Sequence, residues 1–389
     1  MATVHGTAAA GFEPVRELFE RQFAAGEHIG AGVAVYHRGR KVVDLWGGLA
    51  DEDAGTPWDE GTMAVSFSTT KGLTAACLHL LADRGLVQYS DPVAKFWPEF
   101  AASGKVGITV YHLLTHQAGL AAIPDGITMD DFCDWERMTG ALAAETPLTA
   151  PGAQTAYHAM NFGFLVGEVV RRIDGRSVGA FFRDEIAKPL GITELHIGTP
   201  DALHPRVAKL KPKFALTPEV VQQAAAMMSP GSLTARAMGS GRGDSSTLFN
   251  SPAGLRAEIP AANGVMSARD LARFYACLAG YGELDGVRLL SEARVRAMSE
   301  LQTSGPDGVI PVPINWSLGY MSGGIDGRPQ GPRVTAFGHP GIGGSIGYAD
   351  PEIGLAFGLV LNGLAIDIVR TGRAAALAAV ARTCAEAAG

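Results

Sequence analysis

The stretch Ala64–Leu81, AVSFSTTKGLTAACLHLL, predicts a short apolar strand or turn that runs into a helix. Ser68 lies at the junction, and Lys71 follows three residues later. Residues i and i+3 share one face of a helix, so we expect the Ser68 hydroxyl and the Lys71 amine to meet. The apolar residues after the lysine recur at helical spacing, which predicts that the helix lies in a core. They are Leu73, Ala76, Cys77, Leu80 and Leu81.

The chemistry of this pair depends on burial. A hydroxyl is a poor nucleophile until a base removes its proton, and a buried lysine can lose its charge and act as that base. S-x-x-K is a short pattern that also arises by chance, so a structural alternative stands beside this interpretation. In the alternative, Ser68 caps the helix and Lys71 is a solvated residue of its first turn.

The composition is that of a compact folded protein. Hydrophobic residues make up 47% of the 389 residues and charged residues 18%, which argues against a disordered chain. A chain of this length holds two domains, or one large domain with an insertion. The net charge of −7, without a run of lysine and arginine, argues against a nucleic-acid partner.

The sequence predicts no membrane association. The apolar segment Leu355–Leu361 has the length of a strand, not of a membrane span. The N-terminus lacks a basic start followed by a long apolar run, so we expect no secretory signal. The cysteines form no C-x-x-C pair, which favours a reducing compartment, with the cytoplasm as the expected location. They are Cys77, Cys133, Cys277 and Cys384.

The first 60 residues predict a helix and a hairpin. Apolar residues from Phe12 to Phe23 mark one face of a helix that ends near Gly26. Two strands follow, Gly32–His37 and Lys41–Trp46, and the short glycine-containing link between them is typical of a hairpin.

The middle of the chain predicts helices and then an irregular segment. From residue 91 to about residue 191, helical patterns are interrupted by proline and glycine. Residues 199–262 are rich in Pro, Gly, Ser and Ala, and such a long irregular segment often forms a wall of a binding cleft. The predicted helices are Thr109–His116, Met129–Arg137, Phe162–Ile173 and Val178–Ile186.

The C-terminal part returns to regular structure. A capping pattern at Ser267 precedes a helix, strand-like segments follow, and the alanine-rich helix Arg373–Ala387 ends the chain. Strands at both ends of the sequence predict one sheet, built from both termini and covered by the first and last helices. The predicted strands are Trp316–Met321, Val334–Gly338, Ser345–Ala349 and Gly354–Leu361.

We therefore expect an α/β (α+β) protein with a central antiparallel sheet flanked by helices. Residues 1–85 and 263–389 would form the domain that contains the sheet. Residues 86–262 would form a mostly helical domain, with the long irregular segment lining a cleft between the two.

Two further stretches are candidates for chemistry. Tyr157 lies in a predicted loop, where its phenol could relay a proton if cationic neighbours lowered its pKa. His339 lies in the glycine-rich stretch Phe337–Ser345, whose backbone could approach a ligand closely. Each has a structural alternative, a packing tyrosine and a glycine-rich hairpin respectively.

Taken together, the S-x-x-K pair, the loop tyrosine and the late His339-Pro-Gly341 segment resemble the serine β-lactamase and penicillin-binding-protein superfamily. Within it, the sequence is most similar to the class C-like esterases known as family VIII carboxylesterases. The likeness spans most of the chain, and it implies the β-lactamase-like fold. Supporting stretches are Asp91–Phe100, Leu113–Leu120, Gly264–Leu271 and Gly338–Pro351.

The resemblance implies a role for each matching residue. Ser68 would be the acylated nucleophile, and Lys71 and Tyr157 would be the pair that handles its proton. The backbone N–H groups of Ser68 and Ile342 would form the oxyanion hole. His339 and Gly341 would occupy the substrate-binding K-T-G box, and His158 would line the cleft beside the tyrosine.

Two departures from the β-lactamase pattern favour plain esters. His339 replaces the lysine of the box, and Ala159 stands where β-lactamases carry an asparagine. We therefore expect a serine carboxylesterase that hydrolyses small-molecule, short-chain acyl esters without a cofactor and with feeble lactam turnover. The alternatives are a β-lactamase or D-alanyl carboxypeptidase, an acyltransferase, and a catalytically dead binding relative. The natural ester, the proximal base of the pair and the oligomeric state stay open, and a homo-oligomer is one of the alternatives.

Two other motifs suggest different chemistry. Gly343–Gly347 matches the G-x-S-x-G elbow of α/β-hydrolases and makes Ser345 a rival nucleophile. That elbow needs a helix directly after the serine, and Pro351 follows too soon. His112 and His116 have the spacing of a zinc helix, but no glutamate accompanies them, so we expect no metal site.

Overall fold

In a computed structural model, the chain is described over residues 3–212, 228–243, 245–310, 312–364 and 372–389. A large antiparallel sheet dominates this part of the chain, with the spatial strand order β1-β3-β2-β16-β15-β14-β13-β12-β11 and with β4 paired to β3. Those strands are β1 Val4–Ala8, β2 Gly30–His37, β3 Arg40–Asp51, β4 Thr56–Pro57, β11 Thr303–Pro306, β12 Pro313–Trp316, β13 Met321–Ser322, β14 Phe337–Pro340, β15 Ile346–Asp350 and β16 Leu355–Leu361.

Short strand pairs accompany the sheet. They are β5 Ala64–Val65, β6 Leu195–His196, β7 Lys211–Pro212, β8 Val265–Met266, β9 Glu283–Leu284, β10 Val287–Arg288 and β17 Gly363–Leu364. Among them, β8 lies between β5 and β6 and ties the segment before Ser68 to the rest of the fold.

α-Helices cover both faces of the sheet, and further α-helices form the segment between residues 110 and 256. Their bounds are Glu13–Ala24, Thr70–Asp83, Val110–Leu114, Trp135–Ala144, Asn161–Asp174, Val178–Phe182, Leu233–Met238, Ser245–Asn250, Pro252–Arg256, Ala268–Ala279, Glu292–Ser299 and Gly372–Ala387. Short 3₁₀ turns add Phe67–Thr69, Val93–Lys95, Pro98–Ala101, Asp130–Cys133 and Asp201–Arg206, and a π-helical turn covers Arg183–Ala187.

The sheet is built from both ends of the chain, as the sequence predicts. Strand β2 pairs with β16 in antiparallel register, with Val33 opposite Leu359. Alternate residues of β2 face opposite cores, because side chains of a strand alternate between its faces. Val33 packs with the first and last helices, whereas Ala34 packs with the larger core on the other face. Both faces of the sheet are therefore covered.

Glycines let helix Ala268–Ala279 approach the sheet closely. A Cβ on Gly347 would stand 2.3 Å from the ring of Tyr275, and one on Gly358 would stand 2.6 Å from the carbonyl oxygen of Ala268. The glycines of β15 and β16 thus serve helix packing, because only a residue without a side chain fits there.

Helix Thr70–Asp83 lies at the centre of the larger core. Every residue from Thr70 to Ala82 is buried, which confirms the prediction of a core helix and rules out a solvated Lys71. The residue before Ser68, Phe67, has a φ of 46°, a conformation that non-glycine residues rarely adopt. Its ring packs edge to face against Phe249, and this contact holds the turn that presents Ser68.

Several predicted elements are wrong. The predicted strand Trp316–Met321 is a reverse turn between β12 and β13, in which the Ser317 amide donates to the Tyr320 carbonyl at 3.0 Å. The predicted helix Met129–Arg137 is interrupted, because the Asp134 side chain accepts from the Arg137 amide and starts a new helix there. The sequence analysis also misses β1 and β11.

The segment predicted to be irregular, residues 199–262, contains short helices in its described part, with residues 213–227 and 244 outside the described residues. Ser232 and Ser251 cap two of them by accepting backbone N–H groups. The proposed division into two domains stays a prediction. Among the described helices, none has both the length and the apolar character needed to cross a bilayer.

The hairpin between β2 and β3 offers a test of backbone conformation. Arg38 and Gly39 both have positive φ, 50° and 77°, as a two-residue hairpin turn of type I′ requires. We expect Gly39→Ala to lower the free energy of unfolding by about 1 kcal/mol, because a side chain disfavours this conformation.

The matched control is Gly140→Ala, an exposed glycine inside helix Trp135–Ala144 with open space around its Cα. We expect this change to raise the free energy of unfolding by about 0.5–1 kcal/mol, since alanine is the better helix former. Urea unfolding measures both values, and changes of the same sign would contradict the turn assignment.

Candidate functional site

Three side chains predicted from the sequence meet at one oxygen atom. Ser68 lies in the 3₁₀ turn Phe67–Thr69, directly before the buried helix. Its Oγ lies 3.0 Å from Lys71 Nζ and accepts from Tyr157 Oη at 2.7 Å. The lysine comes from the same helix, one turn along, and the tyrosine comes from a loop 89 residues away in sequence. The serine hydroxyl thus has two proton-handling groups within hydrogen-bond distance.

The Lys71 amine is held entirely by neutral groups. Its side chain is fully buried, and Nζ also donates to the carbonyls of Ala159 at 2.6 Å and Ala261 at 2.9 Å. Burial holds the pKa of Lys71 well below its ordinary value. A neutral amine has two N–H groups and one lone pair, so the two carbonyls take its N–H groups and the lone pair faces the Ser68 hydroxyl.

Tyr157 is a protonated phenol in this setting. Burial raises the pKa of Tyr157 above its ordinary value, and the negative charge of Asp307 acts in the same direction. The condition named from the sequence, a Tyr157 pKa lowered by cationic neighbours, is therefore not met. The Lys71 Nζ lies 4.8 Å from the centre of the tyrosine ring, but that amine is itself depleted of charge by burial. Tyr157 consequently acts as a hydrogen-bond donor to Ser68 rather than as a phenolate.

The end of β14 approaches the Ser68 turn through a glycine. A Cβ on Gly341 would stand 2.2 Å from the Ser66 carbonyl oxygen and 2.3 Å from Ser345 Oγ, so no larger residue fits. Gly341 and Ile342 line the same pocket as Ser68 and Tyr157, and Ile342 is 38% exposed. The structure therefore brings both residues to the nucleophile.

His339 lies behind the tyrosine and not on the pocket surface. Its ring is fully buried, stacks on the Tyr157 ring with 5.9 Å between centroids, and pairs Nδ1 with the Pro340 carbonyl at 2.8 Å. Burial lowers the pKa of His339 to about 3, with the nearby Lys71 contributing. A neutral imidazole thus occupies the position that the resemblance assigns to a lysine, and it supports Tyr157 instead of facing substrate.

The expected substrate contact for His158 is not supported by its position. The residue is 1% exposed, and both ring nitrogens are engaged. Nε2 accepts from the Leu120 amide at 3.1 Å, and Nδ1 pairs with the Ala156 carbonyl at 2.6 Å. His158 therefore fixes the loop around Tyr157.

Sequence reasoning missed Asp307, which fixes the tyrosine from behind. One oxygen of its buried carboxylate accepts from the backbone amides of Tyr157 at 3.0 Å, Val309 at 2.8 Å and Ile310 at 3.0 Å. The stretch Gly305–Gly308 carries a turn signal, proline, aspartate and glycine in succession, but nothing local points to a tyrosine 150 residues away.

Trp316 and His116 complete an aromatic enclosure of the tyrosine. The Trp316 ring stacks on Tyr157 with 5.6 Å between centroids, and His116 meets the same ring edge on at 5.1 Å. Burial lowers the pKa of His116 well below its ordinary value, so this enclosure is uncharged. It keeps water away from the phenol.

The rival motifs have structural roles. Ser345 Oγ is 2% exposed, donates to the Ser66 carbonyl at 2.8 Å and pairs with Thr69 Oγ1 at 3.2 Å. None of these partners is a basic side chain that could activate Ser345. Its hydrogen bonds to residues on either side of Ser68 stabilise the Ser68 turn. The ring of His112 caps its own helix, because Nδ1 accepts from the Thr109 amide at 3.1 Å. The described residues contain no cluster of three metal-ligating side chains.

Asp307 offers a test of positioning. We expect Asp307→Ala to slow the phosphonylation of Ser68 by a fluorophosphonate by about 10- to 100-fold, because three backbone amides lose their acceptor and Tyr157 shifts. Asp307→Asn keeps an oxygen acceptor, so its phosphonylation rate should fall far less than that of Asp307→Ala. Intact-mass time courses give the rates, with Asp125→Ala, an aspartate whose side chain is 97% exposed, as the control. Equal rates for both Asp307 variants would contradict this role.

The buried histidines predict a steep loss of stability in acid. The pKa values fall by burial to about 3 for His79 and His339 and to about 4 for His158, and that of His116 is also lowered. The unfolded chain therefore binds more protons than the folded chain below pH 6.5, so stability decreases as pH falls through this range. Each histidine contributes at most about 1.4 kcal/mol per pH unit.

Urea unfolding at pH 7.5 and pH 5.0 measures this loss, which we expect to reach several kcal/mol. His79→Phe should reduce the slope of unfolding free energy against pH by the equivalent of one proton, because one buried neutral histidine is removed. His79 suits this test because its ring nitrogens pair with the Tyr89 hydroxyl and the Leu318 carbonyl and with none of the three site side chains. A stability that does not change between the two pH values would contradict neutral burial.

Comparisons with known proteins identify the family of the chain. The Beta-lactamase family pattern matches residues 15–381. The esterase/beta-lactamase LipL of Mycobacterium tuberculosis is 40% identical over 378 residues, which cover 95% of this chain and 86% of LipL. Esterase EstB of Burkholderia gladioli is 27% identical over 375 residues, 89% of this chain and 88% of EstB.

Solved structures give the same result at the level of the fold. A family VIII carboxylesterase superposes with a TM-score of 0.89 at 35% identity, covering 98% of this chain and all of that one. A penicillin-binding-protein homologue from Caulobacter crescentus superposes with a TM-score of 0.85 at 37% identity over the same shares. The expected β-lactamase-like fold, with its antiparallel sheet and flanking helices, is confirmed. With its serine, lysine and tyrosine joined at one oxygen, the chain belongs to the β-lactamase family.

Proposed function

We propose that the protein is a serine carboxylesterase that hydrolyses short-chain acyl esters through an acyl-enzyme on Ser68. One observation carries this proposal: Ser68 Oγ lies in a pocket with Lys71 Nζ at 3.0 Å and Tyr157 Oη at 2.7 Å. A nucleophile within reach of a neutral amine and a phenol is equipped for acyl transfer. The esterase names of the relatives LipL and EstB support the same reaction class.

Acylation follows from the charge state of the three groups. The neutral Lys71 amine accepts the Ser68 proton while Oγ attacks the ester carbonyl. The carbonyl oxygen becomes an oxyanion, which the backbone N–H groups of Ser68 and Ile342 stabilise. Tyr157 then gives its proton to the departing alcohol oxygen and regains one from the Lys71 ammonium. The C–O bond of the ester breaks, and the acyl group stays on Ser68.

Deacylation runs through the same groups. A water molecule takes the place of the alcohol and loses its proton to the Tyr157–Lys71 pair as it attacks the acyl carbonyl. The bond to Ser68 Oγ breaks, the serine recovers a proton, and the free acid leaves. Because the two groups share one proton, they titrate as a coupled pair.

The pocket favours esters over lactams. Most side chains that line it beside the nucleophile are apolar, among them Ile310, Ile314 and Met321, and they suit a small acyl or alkyl group. His339 stands where the β-lactamase pattern has a lysine, and it lies behind the pocket surface. Ala159 stands where that pattern has an asparagine, and only its backbone carbonyl contacts Lys71. Weak lactam hydrolysis is the second candidate, favoured by the double name of the relative LipL.

A cytoplasmic location fits the thiols. Cys77, Cys277 and Cys384 are buried and free, Cys133 is exposed and free, and none forms a disulfide. A small-molecule ester is the proposed partner.

The test compares p-nitrophenyl butyrate with a cephalosporin on the purified protein and its variants. We expect kcat/KM for the butyrate to exceed that for the cephalosporin by at least 100-fold, because the lysine and asparagine that hold a lactam are absent. Ser68→Ala and Lys71→Arg should each lose at least 1,000-fold on the ester, since a guanidinium stays protonated.

Ser345→Ala is the matched serine control. It removes one hydroxyl of the same kind next to the same turn, so we expect it to retain measurable turnover and fluorophosphonate labelling at Ser68. Turnover that survives Ser68→Ala and vanishes in Ser345→Ala would overturn the assignment.

A further inference from the structure

The turn that carries Ile342 is built largely from glycines. The Gly344 amide donates to the Gly341 carbonyl at 3.1 Å and closes a four-residue turn with Ile342 and Gly343 at its centre. Gly343 has a φ of 90°, the conformation that a type II turn requires at its second central position. Two glycines in succession give the backbone little stiffness of its own, so neighbouring groups must fix the orientation of these peptides.

The Ile342 amide has no partner within this turn. The hydrogen bond that closes the turn uses the Gly341 carbonyl and the Gly344 amide, and no backbone carbonyl of the described residues accepts from Ile342. Ile342 lines the pocket beside Ser68 and is 38% exposed. Its N–H group is therefore open to a ligand, and its value to an oxyanion depends on the orientation of the turn.

One buried arginine binds the turn. Arg373 lies at the start of the last helix, Gly372–Ala387, and is 8% exposed. Its Nη2 donates to the Gly343 carbonyl at 2.6 Å, and hydrogen bonds from a charged donor are stronger than those between neutral groups. A Cβ on Gly344 would stand 3.3 Å from both Nε and Nη2 of the same guanidinium. The arginine thus lies against two successive residues of the turn.

The same guanidinium is anchored in the body of the fold. Its Nη1 donates to the Glu27 carbonyl, in the loop after the first helix, and its Nη2 also donates to the Gly363 carbonyl of β17 at 2.6 Å. The backbone carbonyl of Arg373 accepts from Gln22 Nε2, on the first helix, at 3.0 Å. Elements from both ends of the chain therefore fix the arginine, and the arginine in turn fixes the Gly343 carbonyl.

We infer that Arg373 is a positioning residue of the oxyanion hole, which holds the glycine turn so that the Ile342 amide points at the developing oxyanion. The inference rests on the proposed esterase function and adds to it a residue outside the pocket. The described residues that line the pocket do not include Arg373, so it acts through the turn and not on the substrate. Because the oxyanion exists only along the reaction, loss of this support should lower kcat and leave KM nearly unchanged.

A matched pair of substrates measures the oxyanion hole itself. One is p-nitrophenyl butyrate, and the other is its thiono analogue, in which sulfur replaces the carbonyl oxygen. Both release p-nitrophenolate, and each kcat/KM is divided by the rate constant of the same ester with hydroxide. Sulfur is larger and accepts hydrogen bonds weakly, so positioned N–H groups favour the oxygen ester. We expect the wild-type protein to favour the oxygen ester by about 100-fold or more.

Variants assign the preference to the arginine. We expect Arg373→Met to reduce the ratio of oxygen ester to thiono ester about tenfold or more, and to lower kcat on the oxygen ester about 10- to 100-fold. Arg273→Met is the matched control, because Arg273 also donates to a backbone carbonyl, that of Leu190, and it should keep the wild-type ratio. Should Arg373→Met lose its cooperative thermal transition, Arg373→Lys carries the test with a smaller loss in the same direction.

The outcomes separate the inference from the function on which it rests. A wild-type ratio in both Arg373 variants leaves the esterase in place and overturns the inference. A wild-type protein without preference for the oxygen ester, or an Arg273→Met variant that loses the preference equally, also overturns it. No hydrolysis of p-nitrophenyl butyrate by the wild-type protein, with Ser68 still labelled by a fluorophosphonate, counts against the proposed function and the inference together.

Discussion

The burial of one amine governs this structure. Lys71 is enclosed by backbone carbonyls and by uncharged rings, and no carboxylate of the described residues hydrogen bonds to it, so burial removes its charge instead of pairing it. A paired lysine would be an ammonium and could not accept the Ser68 proton. The surrounding histidines, neutral for the same reason, keep that environment free of countercharge. The reactivity of the serine therefore depends on the whole core around the helix.

The tyrosine is a second product of the same burial. Its phenol keeps its proton because Asp307 and the apolar surroundings disfavour a negative charge there. A neutral amine and a neutral phenol next to one hydroxyl form a set with no net charge, which is stable in an enclosed site. In the proposed reaction, charge appears only when the serine attacks, and the proposal assigns its stabilisation to the backbone amides of Ser68 and Ile342.

The sequence predicts local relationships well and distant ones poorly. The contact between Ser68 and Lys71 follows from helical spacing alone, and the hairpin around Gly39 follows from strand length and one glycine. Tyr157 is a candidate from its residue type alone, but only the family resemblance gives it a catalytic role, because a loop tyrosine is more often a packing residue. The contact of Asp307 with the Tyr157 amide joins residues 150 positions apart, and no periodicity encodes it. The turn after Trp316 is hidden in the sequence because large apolar residues alternate with small ones over residues 316–320, as they do in a strand.

The pairing of β2 with β16 has a consequence for biosynthesis. These neighbours in the sheet lie more than 300 residues apart, with Val33 opposite Leu359, so the central ladder cannot close until the ribosome has synthesised β16. Until then, the apolar edge of β2 and the core helix behind Ser68 lack their cover, and both present surfaces on which nascent chains aggregate. Truncation before β16 should therefore yield insoluble material rather than a smaller folded domain.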